Sequence, residues 1–128
     1  MKKTRQDQDP PLATEKWGWR YHHLGIPTNQ SIRGERYIPH LKIYVTGFET
    51  SPFGIEWMRF EKDSPVPELI RSVPHLAFEV NDMDKILDEG SFEILSEIQS
   101  PSKGVRVAMI KHNGAPVELI QFDNKKKK

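Results

Sequence analysis

His23-Leu24-Gly25-Ile26 is echoed later in the chain by His75-Leu76-Ala77-Phe78. Ile55-Glu56-Trp57-Met58-Arg59-Phe60-Glu61 is echoed in the same way by Val117-Glu118-Leu119-Ile120-Gln121-Phe122-Asp123. Each half of the chain therefore offers a strand carrying a histidine and, further on, a strand carrying a glutamate. Two histidines and two glutamates from a duplicated module form a natural site for one divalent metal ion. Imidazole nitrogens and carboxylate oxygens would be the ligands, at His23, Glu56, His75 and Glu118.

Strand residues alternate between faces. Around the second histidine, His75, Ala77 and Glu79 share one face and Leu76, Phe78 and Val80 the other. Around the first, His23 and Gly25 share a face, while His22, Leu24 and Ile26 take the opposite one. Each of the two histidines thus sits beside a small residue, Gly25 or Ala77, and backs onto an apolar face that would pack on helix or sheet. Glu56 shares a face with Met58 and Phe60, and Glu118 with Ile120 and Phe122. A glutamate on an apolar strand face is costly to bury unless it is paired, hydrogen-bonded or metal-bound. A lone strand histidine is ordinarily a satisfied core or surface residue; four liganding residues in register across a repeat point to a shared cation. His40 and His112 fall near strand ends and read as surface residues, and His22 as facing away from the site. Trp57, Phe60 and Phe122 read as core, Arg59 and Arg106 as solvated. Tyr21 and Ile110 are candidate cavity residues, and Glu79 a candidate hydrogen-bond partner beside His75.

Outward from these strands the pattern stays β-rich. Strands are expected over 19–26, 41–46, 55–61, 73–80, 92–98, 105–112 and 116–122. Residues 28–37 are polar and hold at most a turn of helix. Asp63-Ser64-Pro65-Val66-Pro67 is the linker between modules, followed by a short helical piece near Glu68 to Arg71. Asn81 or Asp82 caps a helix running through Asp88, and Gly90 ends it. Pro101-Ser102-Lys103-Gly104 and His112-Asn113-Gly114-Ala115 are turns. The second module reads as β-α-β-β-β, and the first as the same unit with its helix shortened or lost.

The fold class is therefore α+β: paired βαβββ modules forming a curved mixed sheet around a metal cavity. Residues 1–16 lack periodicity and read as a disordered tail. Residues 17–124 form one domain, with modules 17–63 and 72–124, and 125–128 are a basic tail. The formal net charge of +1 gives no argument for nucleic acid. Cysteine is absent, which excludes disulfides and thiolate chemistry. No stretch approaches the ~18 apolar residues of a membrane span. Residues 4–14 are polar where a signal peptide would be apolar. The expectation is a cytoplasmic protein that binds neither nucleic acid nor membrane.

These motifs resemble the vicinal oxygen chelate superfamily, which includes glyoxalase I, methylmalonyl-CoA epimerase, fosfomycin-resistance enzymes, extradiol dioxygenases and bleomycin-binding proteins. The resemblance covers roughly Trp19 to Phe122. It rests on His23-Leu24-Gly25-Ile26, Ile55-Glu56-Trp57-Met58, His75-Leu76-Ala77-Phe78-Glu79-Val80-Asn81-Asp82 and Asn113-Gly114-Ala115-Pro116-Val117-Glu118-Leu119. The family's four metal positions fall on His23, Glu56, His75 and Glu118, a set most similar to glyoxalase I. The epimerases usually have glutamine in the second place, and the dioxygenases use two histidines and one carboxylate. The first module departs from the family in lacking the long helix after its first strand, and no residues match those that bind glutathione.

The resemblance implies a metal-dependent lyase or isomerase of glyoxalase or epimerase type, acting on a small molecule with vicinal oxygens. Glu56 or Glu118 would be the catalytic base, with Glu118 slightly favoured for its flanking turn. Zn, Ni, Co, Mn and Fe(II) are all possible ions, and no organic cofactor is implied. The alternatives are an Fe(II)-dependent dioxygenase and a non-catalytic binding or resistance protein. The shortened first module leaves sheet edge and apolar surface bare, so a homodimer is expected.

Overall fold

Alternating apolar residues over Arg20–Pro27 (β1) and His75–Glu79 (β5) build the two central strands of one eight-stranded sheet. The computed structural model describes residues 4–123. The other strands are Arg36–Ile38 (β2), Ile43–Thr46 (β3), Ile55–Phe60 (β4), Glu93–Ser102 (β6), Val105–His112 (β7) and Ala115–Phe122 (β8). Their order across the sheet is β2-β3-β4-β1-β5-β8-β7-β6. The halves have the same topology: β1 runs parallel to β4, and β5 parallel to β8. They join through the antiparallel pair β1–β5. Opposite edges of the curled sheet approach one another where His40 Nε2 lies 3.2 Å from the Ser100 carbonyl oxygen. The paired modules and mixed sheet expected from the sequence are the architecture found.

One face of the second half is closed by helix. Met83–Asp88 (α3) follows β5, and its first turn is capped by the Asp82 carboxylate, which accepts from the Lys85 amide at 3.1 Å. Met83, Ile86 and Leu87 of α3 pack with Trp19, Val80, Ala108, Ile110 and Leu119 into one core. A second core, of Leu41, Ile43, Val45 and Met58, belongs to the first half.

In the first module the helix is lost, one of the two outcomes expected, and all four strands are present. Several other expectations are corrected. Residues 28–37 hold no more than one hydrogen-bonded turn, from the Glu35 amide to the Ile32 carbonyl oxygen, as expected, but they lead into an unexpected strand, β2, which pairs with β3 from Arg36 opposite Val45 to Ile38 opposite Ile43. A short helix, Leu12–Glu15 (α1), lies within the stretch read as a disordered tail, and Ala13 packs against the first core. Leu12 and Glu15 themselves stay exposed, so composition gave α1 no amphipathic signature. β6 runs on through Pro101 and Ser102, leaving the turn to Lys103 and Gly104, whose φ is +78°. The other short helix, Glu68–Ser72 (α2), follows the linker as expected and buries Ile70. The basic run 125–128 lies outside the described residues. Among the described residues, no helix is long and apolar enough to cross a membrane.

Candidate metal centre

The site forms at the seam between the two halves, and strand register explains why. Across β4, β1 and β5, Glu56 stands opposite Gly25, which stands opposite His75. Across β1, β5 and β8, His23 stands opposite Ala77, which stands opposite Glu118. Directly opposed residues share a face, and i and i+2 on a strand share it too. The two rows therefore interlock, each with a small residue at its centre. A Cβ at Gly25 would lie 2.3 Å from Cε1 and 2.7 Å from Nε2 of His75. Gly25 is small because the other module's histidine occupies the space beside it.

His23, His75 and Glu118 are all buried. His75 Nε2 lies 2.9 Å from Glu118 Oε1, and His23 Nε2 lies 3.5 Å from the same oxygen. One liganding atom from each of the three lies within 4.8 Å of the others. Donors ~2.1 Å from a common ion stand ~3.0 Å apart in an octahedron and ~3.4 Å in a tetrahedron. The observed spacings fit a divalent cation, and so does the chemistry of two imidazole nitrogens beside carboxylate oxygens. Glu56 stands to one side, its Oε1 3.5 Å from His23 Nε2.

Electrostatics separates the two glutamates. Burial pushes the Glu56 carboxyl up, the charge of Glu118 adds to that push, and His23 opposes it. Burial acts on Glu118 in the same direction, but hydrogen bonds from His23 and His75 outweigh it and hold the carboxyl at about 2. For His23, burial favours the neutral ring, and the hydrogen bond and charge of Glu118 reverse that and raise its pKa. His75 Nδ1 is buried without a hydrogen-bond partner among the described residues.

His22 is the residue that the alternation argument misplaced. The β1–β5 register shifts between Tyr21 and His23, a bulge that turns His22 onto the cavity side. Its Nδ1 lies 2.8 Å from His23 Nδ1, and its ring stacks on Phe48 with centroids 5.0 Å apart and 22° between planes. A histidine that ligates through Nε2 must carry its proton on Nδ1 and donate it to an acceptor. His22 Nδ1 is placed to accept that proton. The only sequence hint is the adjacent histidine pair; nothing local announces the bulge.

A cavity of about 290 Å³ opens over the cluster. His22, His23, Glu56 and Glu118 line one part of it, and aliphatic side chains from both halves line most of the rest. Phe122 lines it too, with its ring centroid 5.5 Å from that of His22, rather than lying in a core. Neither expected lining residue does so: Tyr21 is exposed and donates to the Phe53 carbonyl oxygen at 2.8 Å, and Ile110 lies in the α3 core. Trp57 is 38% exposed rather than core, whereas Phe60 packs against the second core as expected. Glu79 pairs with Arg20 instead of His75. Arg59 is held by both Glu35 carboxylate oxygens and lies over the Tyr44 ring, and Arg106 pairs with Asp84 and Asp123. His112 is exposed at the end of β7, as expected.

No family model matches this sequence, and no curated protein matches it. Solved structures do. The hypothetical protein BH1468 from Bacillus halodurans C-125 is similar with a TM-score of 0.63 at 17% identity, over 86% of this chain and 99% of that one. Methylmalonyl-CoA epimerase from Mycobacterium tuberculosis is similar with a TM-score of 0.56 at 18% identity, over 80% of this chain and 87% of that one. At these identities the likeness is one of fold.

Proposed function

We propose that this chain, which has the vicinal oxygen chelate fold, is a metal-dependent lyase or isomerase that moves a proton at a carbon next to a carbonyl. The observation that carries this reading is the convergence of His23, His75 and Glu118 beneath a largely apolar cavity. These three residues would hold one divalent ion. Bound there, the ion would supply Lewis acidity to two neighbouring substrate oxygens.

The chain's own residues supply the rest. Glu118 is engaged by both imidazoles, which suits a ligand. Glu56 lies 3.5 Å from His23 and borders the cavity, which suits a base. The sequence slightly favoured Glu118 for that role; its contact with both histidines supports giving the role to Glu56 instead. Glu56 would accept the proton from the carbon and return it to the same or the adjacent carbon, so that no proton is lost. His22 would keep His23 in its ligating tautomer, and the apolar walls would exclude water from the carbanionic centre. A homodimer belongs to the same proposal.

The test is proton exchange in deuterated water, with hemithioacetals of 2-oxoaldehydes and acyl-CoA thioesters as substrates. The fold likeness to an epimerase is why the thioesters are included. The metal-loaded protein should exchange the proton of at least one of them. Glu56→Gln should lose ~10²-fold or more of that rate while keeping its metal, because an amide cannot take the proton. Oxygen consumption with Fe(II) and a catechol, without exchange on any substrate, would transfer the assignment to a dioxygenase.

A further inference from the structure

Arg36 sits in β2 directly opposite Val45, which sits opposite Met58 in β4. Val45 and Met58 line the cavity, and Arg36 lines it with them. Its positive charge is felt at Glu56, two residues from Met58 on the same face. Among the described residues, Arg20, Arg59 and Arg106 each face a carboxylate within ion-pair distance. No such pair holds Arg36 among those residues. Between Arg36 and the histidines the walls are apolar, formed by Ile43, Val45, Met58, Ile70, Met109 and Ile120.

We infer that the cavity takes a small amphipathic anion, with its charged group on Arg36, its apolar body along these walls, and its uncharged oxygens toward His23 and Glu118. This names the substrate class of the site proposed above and rests on that reading. The anion's direction follows from charge: the two charges of an ion at His23, His75 and Glu118 would be offset by the carboxylates of Glu118 and Glu56, whereas no carboxylate among the described residues offsets the Arg36 guanidinium, which attracts an anion. Size follows from the volume, about 290 Å³, which is at the lower end of the ~300–1,000 Å³ common for small-molecule sites.

Isothermal titration with octanoate and with octanamide separates charge from apolar fit. It is run on untagged wild-type protein and on Arg36→Gln, each metal-loaded and chelator-treated. Arg36 is exposed, so the variant should keep the wild-type melting temperature and circular dichroism. Wild type should prefer octanoate by ~10-fold or more in both metal states, the scale of one charge-assisted contact. Arg36→Gln should erase that preference and leave octanamide unchanged. Equal binding of the two probes by wild type would overturn the inference. So would a preference that survives Arg36→Gln, and one that does so only with metal present would assign the carboxylate to the ion. An Arg36-dependent preference in protein that takes up no metal even when a divalent ion is offered would uphold the inference and overturn the metal-dependent reading instead.

Discussion

His22 shows how much one side chain's placement depends on its neighbour's backbone. In a regular strand it would share a face with Leu24, away from the site. The bulge brings it within 2.8 Å of His23 and under the Phe48 ring. Its imidazole would then leave Nε2 as the His23 nitrogen free to ligate. Outer partners of this kind ordinarily govern 10- to 100-fold in metal affinity. His22→Ala should weaken binding of a divalent ion by about that factor in a competitive chelator titration, with the fold intact by circular dichroism. His22→Asn, which can still accept a hydrogen bond, should recover part of it. Unchanged affinity in His22→Ala would remove His22 from the site. Gly25 makes the complementary point: its φ is ordinary, and only the His75 ring beside it demands a missing Cβ.

At the scale of elements, strands were legible and exceptions to strand regularity were not. The run from Val105 to His112, apolar at its centre and bounded by two turns, was placed to the residue. Asp82 was legible as a cap, and Asn113-Gly114 as a turn, with φ of +50° and +86°. β2 was not, because three paired residues in a polar stretch carry no periodic signal. Nor were the β1 bulge or the repeated register shifts in β6, which depend on what the partner strand does. The missing first helix was legible, and it has a consequence. In the second half α3 covers one sheet face; in the first half nothing described takes its place. There Leu24 opposes both Ile55 and Leu76, Ile26 opposes Trp57, and Leu76 and Trp57 remain 43% and 38% exposed. An apolar face of this kind calls for a cover, and a second copy of the chain would bury both bare faces at once. Light scattering at micromolar concentration should therefore give a dimer mass. The pair Leu76→Glu and Trp57→Glu should shift it to monomer without loss of metal. A monomeric wild type would contradict this.

Across the whole molecule, duplication explains why the site exists at all. One module supplies a histidine, a glutamate and a small residue; only two modules joined through β1 and β5 interlock those sets. The four residues of this cluster stood out in the sequence because repetition marks them twice, and the structure brings His23, His75 and Glu118 together with Glu56 one contact away. Cavity walls were less legible: Arg36, Phe48 and Phe122 reach the cavity through the curl of the sheet, which no local pattern encodes. The pKa directions at Glu56 and Glu118 likewise arise only once the two halves meet. Metal analysis by mass spectrometry of protein purified without a histidine tag goes to the heart of this reading. It should find about one divalent ion per chain, and His75→Ala and Glu118→Ala should each lose it while staying folded. Full occupancy in both variants, or a wild type that takes up no divalent ion when one is offered, would contradict it.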